Sequence, residues 1–328
     1  MNKYVIKWYK ITETSTEVSE VLMTKLRGAF TALITPMNAD ESVDFEGFRT
    51  LVRFQLESGI SGLVPLGTTG ETPTLDEDEE DRLIDIVMSE VKGKVPVILG
   101  AGSNSTKDAV KYVKRAKAKG ADYALVVTPY YNKPTDEGIY QHFAACSKVG
   151  LPIIIYNIAS RTGKNISTPL LARLAALPNI DGVKESSGDV NQMMDVIATV
   201  RAVKPGFIVL SGDDPLALPL LSLGGDGVIS VVSNIGPAEV TAMVTAALAG
   251  DFAKARELHY RLLPAFRNAF IETNPVPIKA AMNMKGLPAG TLRLPMCKLL
   301  KENEPKVRSA FEAAGLLEKS DGDSDTFC

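Results

Sequence analysis

Residues 152–186 read PIIIYNIASRTGKNISTPLLARLAALPNIDGVKES, and this stretch decides the fold. Two short apolar runs, residues 152–157 and 180–186, flank a segment with a helical pattern. Near-continuous apolar runs of this length are typical of parallel strands that are buried on both faces. The stretch therefore predicts one strand–helix–strand unit of a parallel sheet.

The same unit recurs along the chain at spacings of roughly 30 residues. The predicted strands cover residues 28–37, 62–67, 96–102, 123–131, 152–157, 180–186, 207–214 and 227–234. Eight strands, each followed by a helix, predict a (β/α)8 TIM barrel. A doubly wound sheet is the alternative, but its Gly-rich first turn is missing from this sequence.

Composition shifts divide the chain into segments. We expect residues 23–250 to form the catalytic barrel and residues 251–317, which carry further helical patterns, to form a C-terminal helical subdomain. Residues 1–22 are predicted to be a loose extension or an over-long start, and the polar residues 318–328 to be a disordered tail. In the second helix, Thr74 is the expected N-cap and Glu77 is expected to complete a capping box.

Charge and cysteine usage exclude several classes of function. The net charge is −3, and no apolar run is long enough to span a membrane, so we expect neither nucleic acid nor a membrane as a partner. Three cysteines and two histidines lack metal-ligand spacing, so no metal site is predicted. Without a GxGxxG or Walker loop, no nucleotide cofactor is expected either. A reducing cytoplasm is the expected compartment.

Polar residues gather where the predicted strands end, and active sites of such barrels lie at those ends. They occur in GTTGET (67–72), TPYYNKP (128–134), YNIASRTG (156–163), VKESSG (183–188) and LSGDD (210–214). Side chains alternate between the two faces of a strand. If Tyr156 and Lys184 both face inward, they meet over one cavity on neighbouring strands.

These residue types suit Schiff-base chemistry. A desolvated lysine amine has a lowered pKa and can attack a ketone, while a tyrosine linked to a threonine hydroxyl can move protons. Backbone N–H groups of a Gly/Thr turn can hold a carboxylate. Taken singly, Lys184 and Arg161 could be surface charges, Tyr130 and Tyr131 packing aromatics, and GTTGE a plain turn. Their joint placement at the ends of separate strands favours a Schiff-base lyase.

Several motifs together resemble the dihydrodipicolinate synthase group within the pyruvate-dependent class I aldolases, a family that includes N-acetylneuraminate lyase. The resemblance covers roughly Leu26 to Leu317. The motifs that carry it are GTTGETPTL, TPYYNKPTDEGIYQHF, IYNIASRTG, GVKESSGD, LSGDD, GVISV, NPVPIK and LRLP.

The resemblance implies a condensation of pyruvate with L-aspartate 4-semialdehyde in the diaminopimelate route to lysine. No cofactor would be needed beyond a covalent pyruvate imine. A homo-oligomer is implied, built as a tight dimer and commonly assembled into a tetramer.

The resemblance also implies roles for individual residues. Lys184 would form the imine, and Tyr156 would be the general acid and base, hydrogen-bonded through Thr68 to Tyr131. Tyr131 would reach across the dimer interface into the partner's site. The residues that would hold substrates or line the pocket are Thr69 for the pyruvate carboxylate, Arg161 for the semialdehyde carboxylate, Gly212, and the backbone of Ile229.

Some positions depart from the usual pattern of the resembling enzymes. Ala159 stands where proline usually precedes the Ser–Arg pair, which would loosen the loop that carries Arg161. Glu77 stands where lysine-sensitive bacterial members often have histidine, so feedback control stays open. A plainer interpretation makes Glu77 and Glu80 the solvated first turn of their helix. The implied lysine cleft consists of Thr72, Pro73, Glu77, Glu80, Asn104, Asp108 and Tyr130.

Two other functions remain open at the level of the sequence. The same imine could serve a lyase with a sugar-acid or aromatic aldehyde acceptor. The motif SRTG argues against sugar acids, because the lyases that bind them lack this arginine. Alternatively, the barrel could be catalytically idle and act as a binding or regulatory partner, which the retention of Lys184, Tyr156, Tyr131 and Thr68 disfavours.

Overall fold

The computed structural model describes residues 26–319, and it contains eight parallel strands in one barrel. The strands are β1 (Gly28–Ala32), β2 (Gly62–Val64), β3 (Ile98–Gly100), β4 (Tyr123–Val127), β5 (Ile153–Asn157), β6 (Ile180–Glu185), β7 (Ile208–Ser211) and β8 (Gly227–Ser230). Each strand begins at or close to its predicted start. Most end earlier than predicted, because the polar residues at their carboxyl ends leave the sheet and form the loops above it.

Strand pairing closes the barrel. Each strand pairs with its neighbour in the chain from β3 to β8, and β1 pairs with both β8 and β2. Between β2 and β3 the link is shorter: Leu63 N–H donates to Pro96 O at 3.1 Å, and Gly100 N–H donates to Pro65 O at 3.0 Å. The predicted barrel is therefore confirmed, and the alternative of an open doubly wound sheet is wrong.

Helices surround the barrel and continue beyond it. The barrel helices are α1 (Phe45–Glu57), α2 (Glu77–Val91), α3 (Thr106–Ala118), α4 (Asp136–Ser147), α5 (Ala159–Thr162), α6 (Thr168–Ala175), α7 (Val190–Asp195), α8 (Arg201–Val203), α9 (Ala217–Ser222) and α10 (Pro237–Leu248). A π-helical segment, Val196–Val200, joins α7 to α8. Up to Lys319, three helices follow the barrel: α11 (Phe252–Asn268), α12 (Val276–Met284) and α13 (Glu304–Ala313).

The prediction of a separate C-terminal subdomain stays a prediction, although its helices are present. Helix α11 packs against α10 of the barrel and against α13. The predicted extension, residues 1–22, and all of the predicted tail except Glu318 and Lys319 lie outside the described residues.

The start of α2 differs from the prediction. Asp76, not Thr74, is the N-cap: its side chain accepts from Glu79 N–H, and the Glu79 carboxylate accepts from Asp76 N–H. Thr74 instead ends a 3₁₀ turn, Thr72–Thr74, and its hydroxyl donates to Glu71 O. The prediction was two residues early because both positions fit the capping-box spacing. The 3₁₀ turn occupies the earlier position, Thr74.

The alternation of side chains along the strands produces two separate apolar regions. The outward faces pack against the helices in one large cluster. The inward faces fill the barrel with a second cluster: Phe30, Ala32, Val64, Ile98, Leu125, Ile154, Tyr156, Ile208, Leu210 and Ile229, closed at the bottom by Leu26. The barrel interior is thus a packed core and not an open channel.

A buried ion pair joins the helices that follow the barrel to the loop after β2. Lys279 of α12 donates to Glu71 Oε1 at 2.8 Å and to Thr35 O at 2.9 Å. The two side chains are 1% and 2% exposed. Glu71 Oε2 also accepts from Arg293 N–H at 3.2 Å. This pair holds α12 against the GTTGE turn.

Removing one member of this pair should be costly. Lys279→Met would leave the Glu71 carboxylate buried without its cation, so we expect the free energy of unfolding to fall by about 3–5 kcal/mol. Lys254→Met is the matched control, because its pair with Glu257 is 49% and 64% exposed, and it should cost less than about 1 kcal/mol. Urea unfolding measures both, and equal losses would contradict the importance of the buried pair.

Candidate active site

Lys184 and Tyr156 lie side by side at the upper end of the barrel. They are register partners on β6 and β5, and Lys184 Nζ lies 4.1 Å from the centroid of the Tyr156 ring. Each residue is 7% exposed. Both side chains face inward, which is the condition for their meeting over one cavity.

Glycines make room for the lysine. Below it, a Cβ on Gly182 would lie 2.7 Å from Ile208 Cβ. Beside it, a Cβ on Gly212 would lie 2.8 Å from Lys184 Cε and 1.9 Å from Ser186 Oγ. Gly212 therefore contacts the lysine stem directly, and any larger residue there would displace the amine.

Burial changes the acidity of the amine. Desolvation lowers the pKa of Lys184 to about 7, the carboxylate of Asp214 acts in the opposite direction, and the charge of Arg161 lowers it further. A substantial fraction of the amine is neutral at pH 7, and neutral amines are nucleophiles.

Burial has the opposite effect on the pKa of the Tyr156 phenol. Desolvation raises the pKa of Tyr156 to about 12, while Arg161 and the hydroxyls of Ser186 and Thr68 partly offset this effect. The phenol therefore keeps its proton at neutral pH and can donate it. An amine that has lost its proton beside a phenol that keeps one is suited to carbonyl chemistry.

A small cavity of about 40 Å³ opens above these two side chains. Four more of the predicted site residues line it: Thr68, Thr69, Arg161 and Gly212. Ile229 lies one layer lower, 1% exposed in the barrel interior, and Val231 lines the cavity instead. The structure thus brings together most of the predicted set.

The sequence interpretation missed two residues that come from beyond the barrel. Phe270 and Asn274 follow α11 and line the cavity. Asn274 Nδ2 donates to Thr69 Oγ1 at 2.9 Å, and Arg161 Nη2 donates to Asn274 O at 3.2 Å. The motif NPVPIK was a signal for this contribution, but nothing local in it specifies a contact about 200 residues away.

Ser186 is a further residue near the lysine that the predicted set leaves out. Ser186 Oγ is buried next to Gly212, has no partner of hydrogen-bonding geometry among the described residues, and lies close enough to lower the pKa of Tyr156. The available signal was its position two residues after Lys184, just past the end of β6.

Two acidic residues of the SGDD motif, Asp213 and Asp214, follow β7. Asp214 is 2% exposed, and its Oδ2 accepts from Val231 N–H at 2.9 Å and Val232 N–H at 3.1 Å. Burial raises the pKa of Asp214, and burial together with Asp214 raises the pKa of Asp213 to about 6. Asp214 thereby fixes the end of β8 against β7.

Tyr131 does not reach this cavity within its own chain. Its side chain is 90% exposed, and its backbone has a φ of +69°. For a non-glycine residue this left-handed conformation is uncommon and marks a position that the surrounding structure holds in place. Its predicted catalytic role stays a prediction.

A second cavity, of about 390 Å³, adjoins the first. Thr68, Tyr156 and Arg161 line both. The second cavity also contains four members of the implied lysine cleft, namely Thr72, Pro73, Glu80 and Tyr130.

Two of the three acidic residues of the cleft, Glu77 and Glu80, form ion pairs. Glu80 is 8% exposed and forms an ion pair with Arg115, so the interpretation of Glu80 as solvated is wrong. Glu77 is exposed and pairs with Lys111. Asn104 O accepts from Asn132 Nδ2, and Asp108 N–H donates to Ser105 Oγ at the start of α3. Binding of lysine in this cleft stays a prediction.

Neither a metal centre nor a membrane-spanning element is found in the described part of the chain. Residues 26–319 contain no group of three or more His, Cys, Asp or Glu side chains placed to hold a metal ion. Over the same residues, no helix is long and apolar enough to cross a membrane.

Comparisons with known proteins agree with this geometry. The sequence model of the dihydrodipicolinate synthetase family matches residues 25–314. The chain is 52% identical to the 4-hydroxy-tetrahydrodipicolinate synthase of Protochlamydia amoebophila, over 86% of this chain and 94% of that protein.

Solved structures of dihydrodipicolinate synthases are also similar to this fold. The dihydrodipicolinate synthase of Thermotoga maritima has a TM-score of 0.87 at 43% identity, over 89% of this chain and 99% of that chain. A monomeric dihydrodipicolinate synthase variant has the same TM-score and identity, over 89% of this chain and 98% of its own.

The lowered pKa of Lys184 can be measured directly. Competitive labelling with acetic anhydride, read by mass spectrometry, should show Lys184 gaining reactivity with a midpoint near its pKa of about 7. Below that pH the reactive fraction should fall about tenfold per unit as the amine becomes protonated. Lys111 is the control, because its hydrogen bond to Glu77 raises its pKa. Equal midpoints for the two lysines would contradict the desolvation of Lys184.

Proposed function

Since the chain belongs to the dihydrodipicolinate synthetase family, we propose that it condenses pyruvate with L-aspartate 4-semialdehyde through an imine on Lys184. The enzyme is a lyase with 4-hydroxy-tetrahydrodipicolinate synthase activity, which serves the diaminopimelate route to lysine. The observation that carries the mechanism is the buried Lys184 amine, of pKa about 7, beside the protonated Tyr156 phenol.

Imine formation is the first step. The neutral Lys184 amine attacks the C2 ketone of pyruvate and gives a carbinolamine. Proton transfer to the C2 hydroxyl lets it leave as water, and the C=N bond forms. Tyr156 supplies that proton and recovers one later, with Thr68 next to it as the relay.

Carbon–carbon bond formation follows. The C3 methyl group loses a proton, and its electron pair moves into the iminium to give an enamine. Enamine C3 then attacks the aldehyde carbon of the semialdehyde, whose oxygen takes up a proton and becomes a hydroxyl group. The amino group of the semialdehyde finally attacks C2, closes the ring and displaces Lys184, so the amine is regenerated.

Two groups are suited to the two carboxylates. The turn Thr68–Gly70 follows β2 and presents Thr69 to the cavity, where it would bind the carboxylate of pyruvate. Arg161 lines both cavities, so its guanidinium lies between the imine site and the wider opening. A planar guanidinium fork at the mouth suits the carboxylate of the second substrate.

The alternative acceptors fit less well. A long polyhydroxylated aldehyde would need hydroxyl partners at the mouth, whereas Arg161 offers a fixed charge there. A purely binding role would leave the desolvated amine at the end of β6 without a purpose, and burying an unpaired lysine is unfavourable.

Trapping the imine tests the proposal. Incubation with pyruvate and sodium borohydride should add an N-(1-carboxyethyl) group to Lys184, which peptide mass spectrometry would locate. Trapping should weaken below pH 7, because the amine becomes protonated as the pH falls through its pKa of about 7. Lys254→Met is a useful comparison, since it removes an exposed lysine of α11 that does not line the cavity and should trap normally.

The second arm of this experiment separates the two substrates. Arg161→Ala should leave pyruvate trapping nearly intact while kcat/KM for L-aspartate 4-semialdehyde falls about 10- to 100-fold, because a hydrogen-bonded charge is lost. If no adduct forms on Lys184 of the unaltered enzyme, the mechanism is wrong. If Arg161→Ala condenses the semialdehyde at the normal rate, the role of Arg161 is wrong.

A homodimer is part of the proposal. Tyr131 is 90% exposed and held at positive φ, and it is consistent with a side chain that completes the site of a second copy. Its hydroxyl would then meet Thr68 and Tyr156 of the partner. Further assembly to a tetramer stays a prediction.

Complementation tests the shared site. In a mixed dimer of Lys184→Ala and Tyr131→Phe chains, one site combines an intact Lys184 with the other chain's intact Tyr131. Co-expression should restore about a quarter of the sites, because half of the dimers are mixed and each has one complete site. Sedimentation velocity should show dimers or larger species. A fully active monomer, or no restoration, would contradict the shared site.

A further inference from the structure

Asn274 contacts both residues to which the proposed function assigns a carboxylate. It is 3% exposed, lies in the segment between α11 and α12, and lines the cavity above Lys184. Its side-chain Nδ2 donates to Thr69 Oγ1 at 2.9 Å. Its backbone oxygen accepts from Arg161 Nη2 at 3.2 Å. One residue from outside the barrel thus holds both binding groups.

The direction of the first hydrogen bond controls what Thr69 can do. A threonine hydroxyl has one proton and two lone pairs, and a carboxylate can only accept. Because Asn274 donates to Thr69 Oγ1, the bond uses a lone pair and leaves the hydroxyl proton free. Among residues 26–319, Asn274 is the sole hydrogen-bond partner of that oxygen. Thr69 is therefore ready to donate to a substrate carboxylate.

This orientation leaves the amide oxygen of Asn274 unpaired within the described chain. Asn274 Oδ1 is buried and has no hydrogen-bond partner in the described residues. Turning the amide over would let Oδ1 accept the Thr69 proton, which would pair it. The Thr69 hydroxyl could then no longer donate that proton to the substrate carboxylate. An unsatisfied buried oxygen is unfavourable, and such exceptions occur where function requires them.

Nearby packing keeps the two residues together. Lys279 lies five residues after Asn274, Glu71 lies two residues after Thr69, and the two form the buried ion pair at 2.8 Å. The segment with Asn274 is thereby fixed against the turn with Thr69.

We propose that Asn274 is a positioning residue that fixes the Thr69 hydroxyl as a donor to the carboxylate of the keto acid. The proposal rests on the proposed function, because it needs pyruvate as the ligand of the cavity. Asn274 does not touch the reacting carbons. It acts through Thr69, so its effect should be confined to ligands that carry a carboxylate.

Two ketones that differ by the carboxylate provide the test. Pyruvate and acetone are each trapped on Lys184 with borohydride, and the concentration for half-maximal trapping is measured. In Asn274→Ala the value for pyruvate should rise about tenfold, because the Thr69 proton is no longer directed. In Asn274→Asp it should rise about a hundredfold, because the new carboxylate takes that proton and repels the substrate. The value for acetone should stay unchanged in Asn274→Ala, and in Asn274→Asp it should rise much less than the value for pyruvate, because the new carboxylate favours the charged Lys184 amine but acetone has no charge for it to repel.

Two controls complete the design. Asn268→Asp makes the same change on α11, where Asn268 Nδ2 donates to Pro264 O away from the cavity, and it should trap pyruvate normally. In a Thr69→Val background, Asn274→Ala should cause no further loss, since the two changes remove one interaction. This double-variant comparison decides the matter even if Asn274→Asp fails to fold.

The outcomes are distinct. Equal losses for pyruvate and acetone would show a structural role and overturn the inference, as would additive losses in the Thr69→Val background. Normal pyruvate binding in folded Asn274→Ala would also overturn it. If the unaltered enzyme traps no pyruvate, the proposed function fails instead, and this result is separate from the other outcomes.

Discussion

The pairing of Tyr156 with Lys184 across β5 and β6 is the constraint on which the site depends. In a parallel sheet a shift of one residue would turn either side chain to the helix face of the barrel. Both residues are inward at the same height because the strands are held in register by their neighbours on each side. The closed barrel then removes both from water, which lowers the pKa of the amine and raises that of the phenol.

Burying a lysine in an apolar barrel is unfavourable for folding, and the structure compensates for it locally. Gly182 and Gly212 leave space for the stem, and the Asp214 carboxylate favours the charged amine. The surrounding aliphatic cluster supplies ordinary core packing. The amine is therefore neither fully hydrated nor fully paired with a carboxylate. In this environment part of it is neutral at pH 7, as a nucleophilic amine must be.

The site is completed from outside the barrel. The turn after β2 carries Thr68 and Thr69, and the segment between α11 and α12 covers it with Phe270 and Asn274. The buried pair of Lys279 and Glu71 fixes these two parts of the chain against each other. The helices after the eighth strand thus have a function in the site, in addition to packing against α10.

Sequence patterns reveal features that depend on a local period. Apolar runs and their spacing predicted the eight strands and the barrel, and the alternation along the strands predicted that Tyr156 and Lys184 meet if both face inward. Local patterns also have ambiguities: the capping-box spacing fits both Thr74 and Asp76, and only the 3₁₀ turn before α2 decides between them. The acidic first turn of α2 looked solvated, yet Glu80 is buried because Arg115 of α3 lies across from it.

Tertiary structure alone decided the contacts between distant segments. The hydrogen bond from Asn274 to Thr69 spans 205 positions, and the ion pair of Lys279 with Glu71 spans 208. No periodicity links such positions, because their distance is set by how the helices after β8 return to the top of the barrel. The sequence by itself predicted the eight strands of the barrel and the candidate pair of Lys184 and Tyr156. The fold decided how far the Lys184 amine is desolvated and which groups orient the residues around it. Both depend on tertiary packing, because desolvation and hydrogen-bond direction exist only once the chain is packed.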